Sequence, residues 1–251
     1  MLTVSELDHY SRQIPVLGEE GQERLRKASI FVAGAGGLSA AICGYLAAAG
    51  VGCIRIADPD SVDISNLNRQ IFYRGCDVGK TKATVLQERL ISLNPHIQVH
   101  ALITKLDDAN AEQLVGDASL LLDALDNFPS RHVLNRVALR LGIPLVHGAV
   151  REFYGQVTTI VPYQTPCLSC IWGDYPSAAA TPILGATCGV IGSVQATEAV
   201  KVLTGKGENL FNRLFVWDGL RIEVDIFQLE RNPACPDCGS RRHERDRENV
   251  R

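Results

Sequence analysis

The stretch Ser29-Ile-Phe-Val-Ala33, followed by Gly34-Ala35-Gly36-Gly37-Leu38-Ser39, constrains the fold more than any other part of the chain. A short, unbroken apolar run that stops at glycines reads as a strand buried on both faces, the kind found in parallel sheets covered by helices. The segment from Gly36 to Ala49 is Ala-rich and apolar on most sides, as expected of a helix packed on such a sheet, and Gly50 is placed to end it. Glycines between a strand and a helix let backbone approach a phosphate, and the helix N-terminus adds N–H donors and a positive dipole. The third position of the G-x-G-x-x-G pattern is Ser39, so the motif departs from the dinucleotide form. A second strand, Cys53 to Ala57, delivers Asp58 about twenty residues on, where a carboxylate accepts from ribose hydroxyls.

The remaining pattern extends this frame. Residues 5 to 27 read as polar amphipathic helical pieces interrupted at Pro15 and Gly18. Lys82 to Leu93 is expected to be a helix stopped by Asn94-Pro95, and Ile97 to Leu102 a strand. Ser119 to Leu122 is another buried strand ending at Asp123 to Asn127. Arg131 to Leu141 is a helix stopped by Gly142, and Pro144 to Val150 a further strand. Alternation at this spacing predicts βαβ units. After Gly155 the order changes to an antiparallel or edge strand at Gln156–Val161, a helix from about Ile191 to Leu203, and β-rich stretches at Leu214–Trp217 and Arg221–Phe227. The expected fold is α/β: a Rossmann-like, mostly parallel sheet continued by antiparallel strands. One unit spans 1–239, with a nucleotide-binding half at about 28–150 and a second half at about 151–239; the charged stretch 240–251 is expected to be a disordered tail.

Composition narrows the partners. A net charge of −3 gives no footprint for nucleic acid or an anionic membrane, and no apolar run is long enough to span a bilayer. Nothing at the N-terminus reads as a signal peptide, so a cytoplasmic location is expected, where the eight cysteines serve as thiols, nucleophiles or metal ligands rather than disulfides.

Four segments could carry chemistry. The glycine turn and Asp58 form the first. The second is the long polar segment from Pro59 to Lys80, containing Ser65, Asn66 and Arg69, with Lys82 just beyond it at a helix start. An arginine there can fork onto phosphate oxygens, Asn66 can orient them, and Lys82 can add a point charge. A nicotinamide-dependent oxidoreductase, the competing reading of the glycine turn, would leave Arg69 and Lys82 without a purpose. The third is Asp123-Ala-Leu-Asp126-Asn127 at a later strand's carboxyl end, where Asp126 is a natural Mg²⁺ ligand and Asn127 fits either the ligand crevice or a helix N-cap. The fourth is Cys167-x-x-Cys170 with Cys235-x-x-Cys238, whose thiolates can form a closed, structural tetrahedral Zn²⁺ site once the pairs meet; redox dithiols and idle cysteines are the alternatives.

Taken in order, these segments resemble the MoeB/ThiF/HesA family of ubiquitin-activating-type adenylyltransferases. The resemblance runs from Ser11-Arg12-Gln13 to Cys238-Gly239 and includes GAGGLS, DxDxVxxSNLxRQ, VGKTKA, LDALDN, GxxGQVT, CxxC, GVIGSVQATEAVK and CPDCG. It implies a homodimer that uses ATP and Mg²⁺ to adenylate the Gly-Gly carboxylate of a small β-grasp, ubiquitin-like sulfur-carrier protein. Such carriers serve molybdopterin, tungstopterin or thiamine-type sulfur transfer. By match of motif, Gly34, Gly36 and Gly37 approach the phosphates and Asp58 holds the ribose. Ser65, Asn66, Arg69 and Lys82 bind the triphosphate, Asp126 and Asn127 lie at the magnesium, and Arg12 reaches into the partner subunit's site. A different carboxylate, on a peptide or linked to RNA, and a catalytically inactive scaffold are the other readings within the same fold.

One departure concerns the cysteine that many members carry in the crossover loop. Counting back from Gly189 places Ala178 there. Cys188 reads as a packed core thiol and Cys76 as a more exposed one; Cys43 and Cys53 sit in core-like contexts. Adenylation without a thioester or persulfide on this chain is therefore expected. None of the six histidines is assigned a catalytic task, and His147 reads as a hydrogen-bonded core residue.

Overall fold

The structure, a computed structural model, describes residues 2–173 and 182–239. The strands are β1 (Ser29–Ala33), β2 (Cys53–Ala57), β3 (Gln98–Leu102), β4 (Leu120–Asp123), β5 (Leu145–Arg151), β6 (Tyr154–Ile160), β7 (Arg213–Asp218) and β8 (Glu223–Gln228). They form one eight-stranded sheet in the order β3-β2-β1-β4-β5-β6-β7-β8. The first five run parallel, and β6, β7 and β8 continue the sheet antiparallel from β5. The chain reverses its direction of travel across the sheet between β1 and β4, and in an open α/β sheet the ligand crevice lies at that point, beyond the strands' carboxyl ends.

The helices are α1 (Val4–His9), α2 (Ile14–Lys27), α3 (Gly37–Ala48), α4 (Lys82–Leu93), α5 (Ala111–Val115), α6 (Phe128–Leu141), α7 (Leu168–Trp172) and α8 (Gly185–Thr204). They cover both faces of the sheet. Strand β1 alternates accordingly: Ile30 and Val32 join the cluster under α3, α4 and α8, while Phe31 and Ala33 join the one under α5 and α6. Among the described residues no helix is long and apolar enough to cross a membrane.

Several boundaries differ from the expectations. Pro15 does not break the N-terminal helix; it sits in the first turn of α2, where proline's missing N–H costs nothing. Gly18 does interrupt α2, with φ 77°. Helix α8 begins at Gly185, six residues before the expected start, because glycines and small residues mask its amphipathic signal. The short α5 and α7 are too brief to show a period. Cys53 is half-buried rather than a core residue. Residues 240–251 and Ala178 lie outside the described residues.

Two glycines of the anticipated motifs are required by close packing. A Cβ on Gly192 would stand 2.7 Å from the Leu38 carbonyl oxygen, so α8 crosses α3 at backbone distance. Gly34 has φ +102°, and a Cβ there would stand 2.6 Å from the Ala124 carbonyl oxygen. Gly34→Ala should therefore destabilise the protein by about 1–3 kcal/mol from backbone strain alone. Urea unfolding would read this as a lower midpoint at unchanged slope; an unchanged midpoint would contradict the packing described for the ends of β1 and β4.

Candidate functional site: the crevice at the ends of β1 and β4

The glycine turn leaves β1 at Gly34 and enters α3 at Gly37. Its central peptide is held from both sides. The Ala35 N–H donates to Asp58 Oδ2 at 2.7 Å, and the Ala35 carbonyl accepts from the Tyr73 hydroxyl at 2.7 Å. Asp58, at the end of β2, also accepts from the Asp60 N–H at 2.8 Å. Burial pushes the Asp58 carboxyl above its ordinary range, opposed by those two amides and by Lys82.

The three glycines separate by environment. Gly34 is needed by the Ala124 contact. Gly37 is needed by α8, since a Cβ there would lie 2.8 Å from Cys188 Sγ. The missing side chain of Gly37 is thus accounted for by helix packing. A Cβ on Gly36 would meet only the Gln70 amide nitrogen, at 3.8 Å. Nothing in the protein's own packing demands glycine at Gly36, which leaves clear space above the turn for a ligand.

The segment after β2 is ordered by its own side chains. Asp63 Oδ1 accepts from the Ser65 N–H at 2.8 Å, and Asn66 Oδ1 accepts from the Asp63 N–H at 3.0 Å, which closes a 3-10 turn at Ile64–Asn66. The Asn66 carbonyl oxygen is therefore already engaged, while Ser65 is exposed. Arg69 donates from Nη1 to the Ser65 carbonyl at 2.8 Å and to Asn68 Oδ1 at 3.1 Å. Lys82, at the first position of α4 and buried, pairs through Nζ with Asp60 at 3.0 Å. The lysine is held where the turn opens, by a carboxylate that is itself 64% exposed.

At the end of β4, Asn127 caps α6 by accepting from the Ser130 N–H at 3.0 Å, so the N-cap alternative describes its carbonyl oxygen. Its amide donates to Asp126 Oδ1 at 3.1 Å. Asp126 is exposed, two residues after Ala124, whose carbonyl lies against Gly34. Asp123 is fully buried and accepts from His147 Nδ1 at 2.6 Å; His147 is thus a hydrogen-bonded core residue, as expected. Arg12, between α1 and α2, is exposed and makes no side-chain hydrogen bond or ion pair among the described residues. Cys188 is 1% exposed, with burial raising its thiol to about 11, which suits a core thiol. Cys76 is exposed and Cys43 is buried.

Sequence reasoning did not single out two residues at this site. Tyr73 supports the turn through its hydroxyl, and Gln70 is 4% exposed with an unpartnered Oε1. Both lie in the long polar segment, but only the folded loop brings them beneath Ala35 and Gly36.

The four cysteines come together away from the crevice. Cys167 and Cys170 flank the start of α7, and Cys235 and Cys238 follow β8. Their sulfurs lie within 4.8 Å of one another, with Cys167–Cys170 at 3.9 Å, Cys167–Cys235 at 3.6 Å and Cys170–Cys238 at 3.4 Å. A tetrahedron with metal–sulfur bonds of 2.3 Å has edges of about 3.8 Å, so the donor set and its spacing fit a metal ion. The cluster is also anchored behind its ligands. Asp237 accepts from Asn135 Nδ2 at 3.0 Å and from Ser169 Oγ at 2.5 Å, and Asn135 Oδ1 accepts from the Leu168 N–H at 3.0 Å.

The ThiF family model matches residues 10–237. The chain belongs to the ThiF family. It is 42% identical to a sulfur carrier protein adenylyltransferase of Thermus thermophilus, over 97% of this chain and 95% of that one. It is equally 42% identical to the SAMP-activating enzyme E1 of Haloferax volcanii, over 95% and 91%. A ThiS adenylyltransferase of Bacillus subtilis is 38% identical over 92% and 71%. Among solved structures, E. coli MccB has the same fold, with a TM-score of 0.83 at 21% identity, covering 93% of this chain and 72% of that one. The mixed sheet agrees with that likeness.

The loop that delivers Lys82 is secured by a second buried carboxylate. Asp77 pairs with Lys80 Nζ at 3.0 Å and Arg89 Nη2 at 2.9 Å, and accepts from the Arg74 N–H at 3.0 Å. These partners, Lys80 foremost, hold its carboxyl down at about 2. A depressed carboxyl stabilises the fold above its unfolded pKa of about 3.9 and loses that contribution as pH falls towards the folded value. Asp77→Asn should therefore destabilise the protein most at neutral pH, with the difference from wild type shrinking between about pH 4 and pH 2. Denaturant unfolding across that range checks this; a pH-independent difference would count against the clamp.

Proposed function

We propose that this chain is an ATP-dependent adenylyltransferase that activates the C-terminal carboxylate of a small β-grasp, ubiquitin-like sulfur-carrier protein ending in Gly-Gly. The observation that carries the reading is near-full-length 42% identity with the Thermus thermophilus sulfur carrier protein adenylyltransferase. The glycine turn supports it: a Cβ on Gly36 would meet only the Gln70 amide, and the Tyr73 hydroxyl ties the turn at Ala35 to the backbone of Lys82.

In this reading a carrier carboxylate oxygen attacks the α-phosphorus of ATP and the bond to pyrophosphate breaks, leaving acyl-AMP on the carrier. No side-chain base is required, because the nucleophile is already an anion. The protein's work is to bring two anions together in line and to neutralise charge. Gly34, Gly36 and Gly37 line the phosphate approach and Asp58 takes the ribose. Lys82 leaves Asp60 for the triphosphate, joined by Arg69, Ser65 and Asn66. Asp126, steadied by Asn127, would hold Mg²⁺, which would supply positive charge to neutralise the triphosphate. The free Arg12 fits a homodimer in which it serves the partner's crevice. The strand-rich half at about 151–239 is the carrier's surface. Its edge strand β8 is exposed throughout and presents Val224, Ile226 and Phe227. With Ala178 at the crossover position, the sulfur comes from a separate donor acting on the adenylate.

The thiol cluster is read as a structural Zn²⁺ site that clamps the C-terminal segment to α6 and α7. The purified protein should contain about one zinc per chain. Cys235→Ser should lower both zinc content and unfolding temperature; a folded, equally stable protein without metal would refute the assignment. For the reaction, the chain should catalyse ATP–pyrophosphate exchange that depends on a Gly-Gly-ended β-grasp carrier. Asp126→Ala should reduce it by about 100-fold or more without loss of fold. Undiminished exchange in that variant would refute the magnesium role, and no exchange with any such carrier would refute the activity.

A further inference from the structure

We propose that Asp123, Arg131 and His147 form a buried clamp that fixes where the Asp126 carboxylate stands, which makes His147 a positioning residue for the magnesium-dependent step. The proposal rests on the reading of Asp126 as the magnesium ligand.

Asp123 is the last residue of β4 and is 0% exposed. Its Oδ1 accepts from the Leu125 N–H at 3.0 Å. Its Oδ2 accepts from His147 Nδ1 at 2.6 Å and lies 3.4 Å from Arg131 Nε. Arg131 then reaches on, donating from Nη2 to the Leu125 carbonyl at 2.6 Å. Both polar groups of Leu125, the residue before Asp126, are thus tied to one ion pair. The Asp123 carbonyl is taken by Gln195 Nε2 at 2.8 Å, and the Ala124 N–H donates to the Ala33 carbonyl at 2.9 Å. Between the end of the strand and Asp126, the Asp123 carbonyl, the Ala124 N–H and both polar groups of Leu125 are engaged.

Stability alone does not call for this arrangement. Burying a carboxylate and a guanidinium carries a desolvation cost that well-packed apolar side chains would avoid, often with equal or greater stability. What the charged version adds is direction, since hydrogen bonds and ion pairs are stronger in a low-dielectric interior and favour the geometry that makes them. It stands immediately before Asp126, the carboxylate read as the magnesium ligand.

His147 is the arm that can be altered without stripping the ion pair itself. It lies abreast of Asp123 on the neighbouring strand, its register set by Leu122↔Val146. Its ring packs 4.9 Å from the Trp172 ring, and its Nε2 has no partner. The imidazole therefore spends its one polar contact on Asp123. In this role it resembles the residues behind a metal ligand that orient it and raise its effectiveness.

The test is calorimetric titration of ATP into the full chain, in EDTA and in saturating Mg²⁺. Wild type should bind ATP more tightly with Mg²⁺. His147→Leu should cut that magnesium-linked gain by about 10–100-fold while leaving ATP affinity in EDTA unchanged. His147→Asn, which keeps a donor towards Asp123, should recover most of the gain. Asp126→Ala is the control for the underlying reading: a full gain in that variant overturns the magnesium assignment, whatever His147 does. If Asp126→Ala loses the gain and His147→Leu keeps it, or loses affinity equally with and without Mg²⁺, the clamp proposal is overturned. Should His147→Leu fail to fold, Arg131→Lys is read by the same criteria, because lysine can pair with Asp123 but cannot also hold the Leu125 carbonyl.

Discussion

The ends of β1 and β4 meet with no side chain between them, and the rest of the crevice depends on that contact. Gly34 lies against the Ala124 carbonyl so closely that a methyl group would collide with it. Because the two turns touch, the glycine turn and the chain leading to Asp126 lie side by side at one edge of the sheet. Each turn is then fixed separately. The glycine turn hangs between Asp58 and Tyr73, and the aspartate turn is held by Asp123 and Arg131. A site for charged reactants works when its dipoles are set before the reactants arrive, and such double anchoring achieves this.

Helix α6 extends the arrangement to the thiol cluster. Asn127, Arg131 and Asn135 recur at intervals of four and so lie on one face of the helix. The first caps the helix beside Asp126, the second holds Leu125, and the third binds Asp237 and the Leu168 amide next to the cysteines. The crevice and the C-terminal clamp are two ends of one polar stripe. This gives a distant cysteine cluster a mechanical relation to the crevice through ordinary hydrogen bonds.

Much of this was legible in the sequence, for reasons of period and chemistry. The apolar run Ser29–Ala33 became β1 at the expected residues, and Lys82–Leu93 became α4 with both ends as expected. Strong periodicity and clear stop residues leave few alternatives there. The start of α8 was not legible: Gly185, Gly189 and Gly192 lower helix propensity, and the reason for Gly192 is contact with α3, which is remote in sequence. The candidate site divides in the same way. Glycines, Asp58, Lys82 and the CxxC pairs announce themselves by residue type and spacing. Tyr73 bonds Ala35, 38 positions away, and the Asp123 partner of His147 stands 24 positions away, so only the folded sheet reveals these pairings. Gly36 and Gly37 are adjacent and chemically identical, yet one faces open space and the other faces Cys188.

The central claim is that the crevice between β1 and β4 is built for a magnesium-bound triphosphate rather than for a dinucleotide. Thermal unfolding with saturating Mg·ATP, compared with saturating NADH, tests it most directly. The account predicts a clear rise in unfolding temperature with Mg·ATP and none with NADH. A rise with NADH and none with Mg·ATP would contradict it.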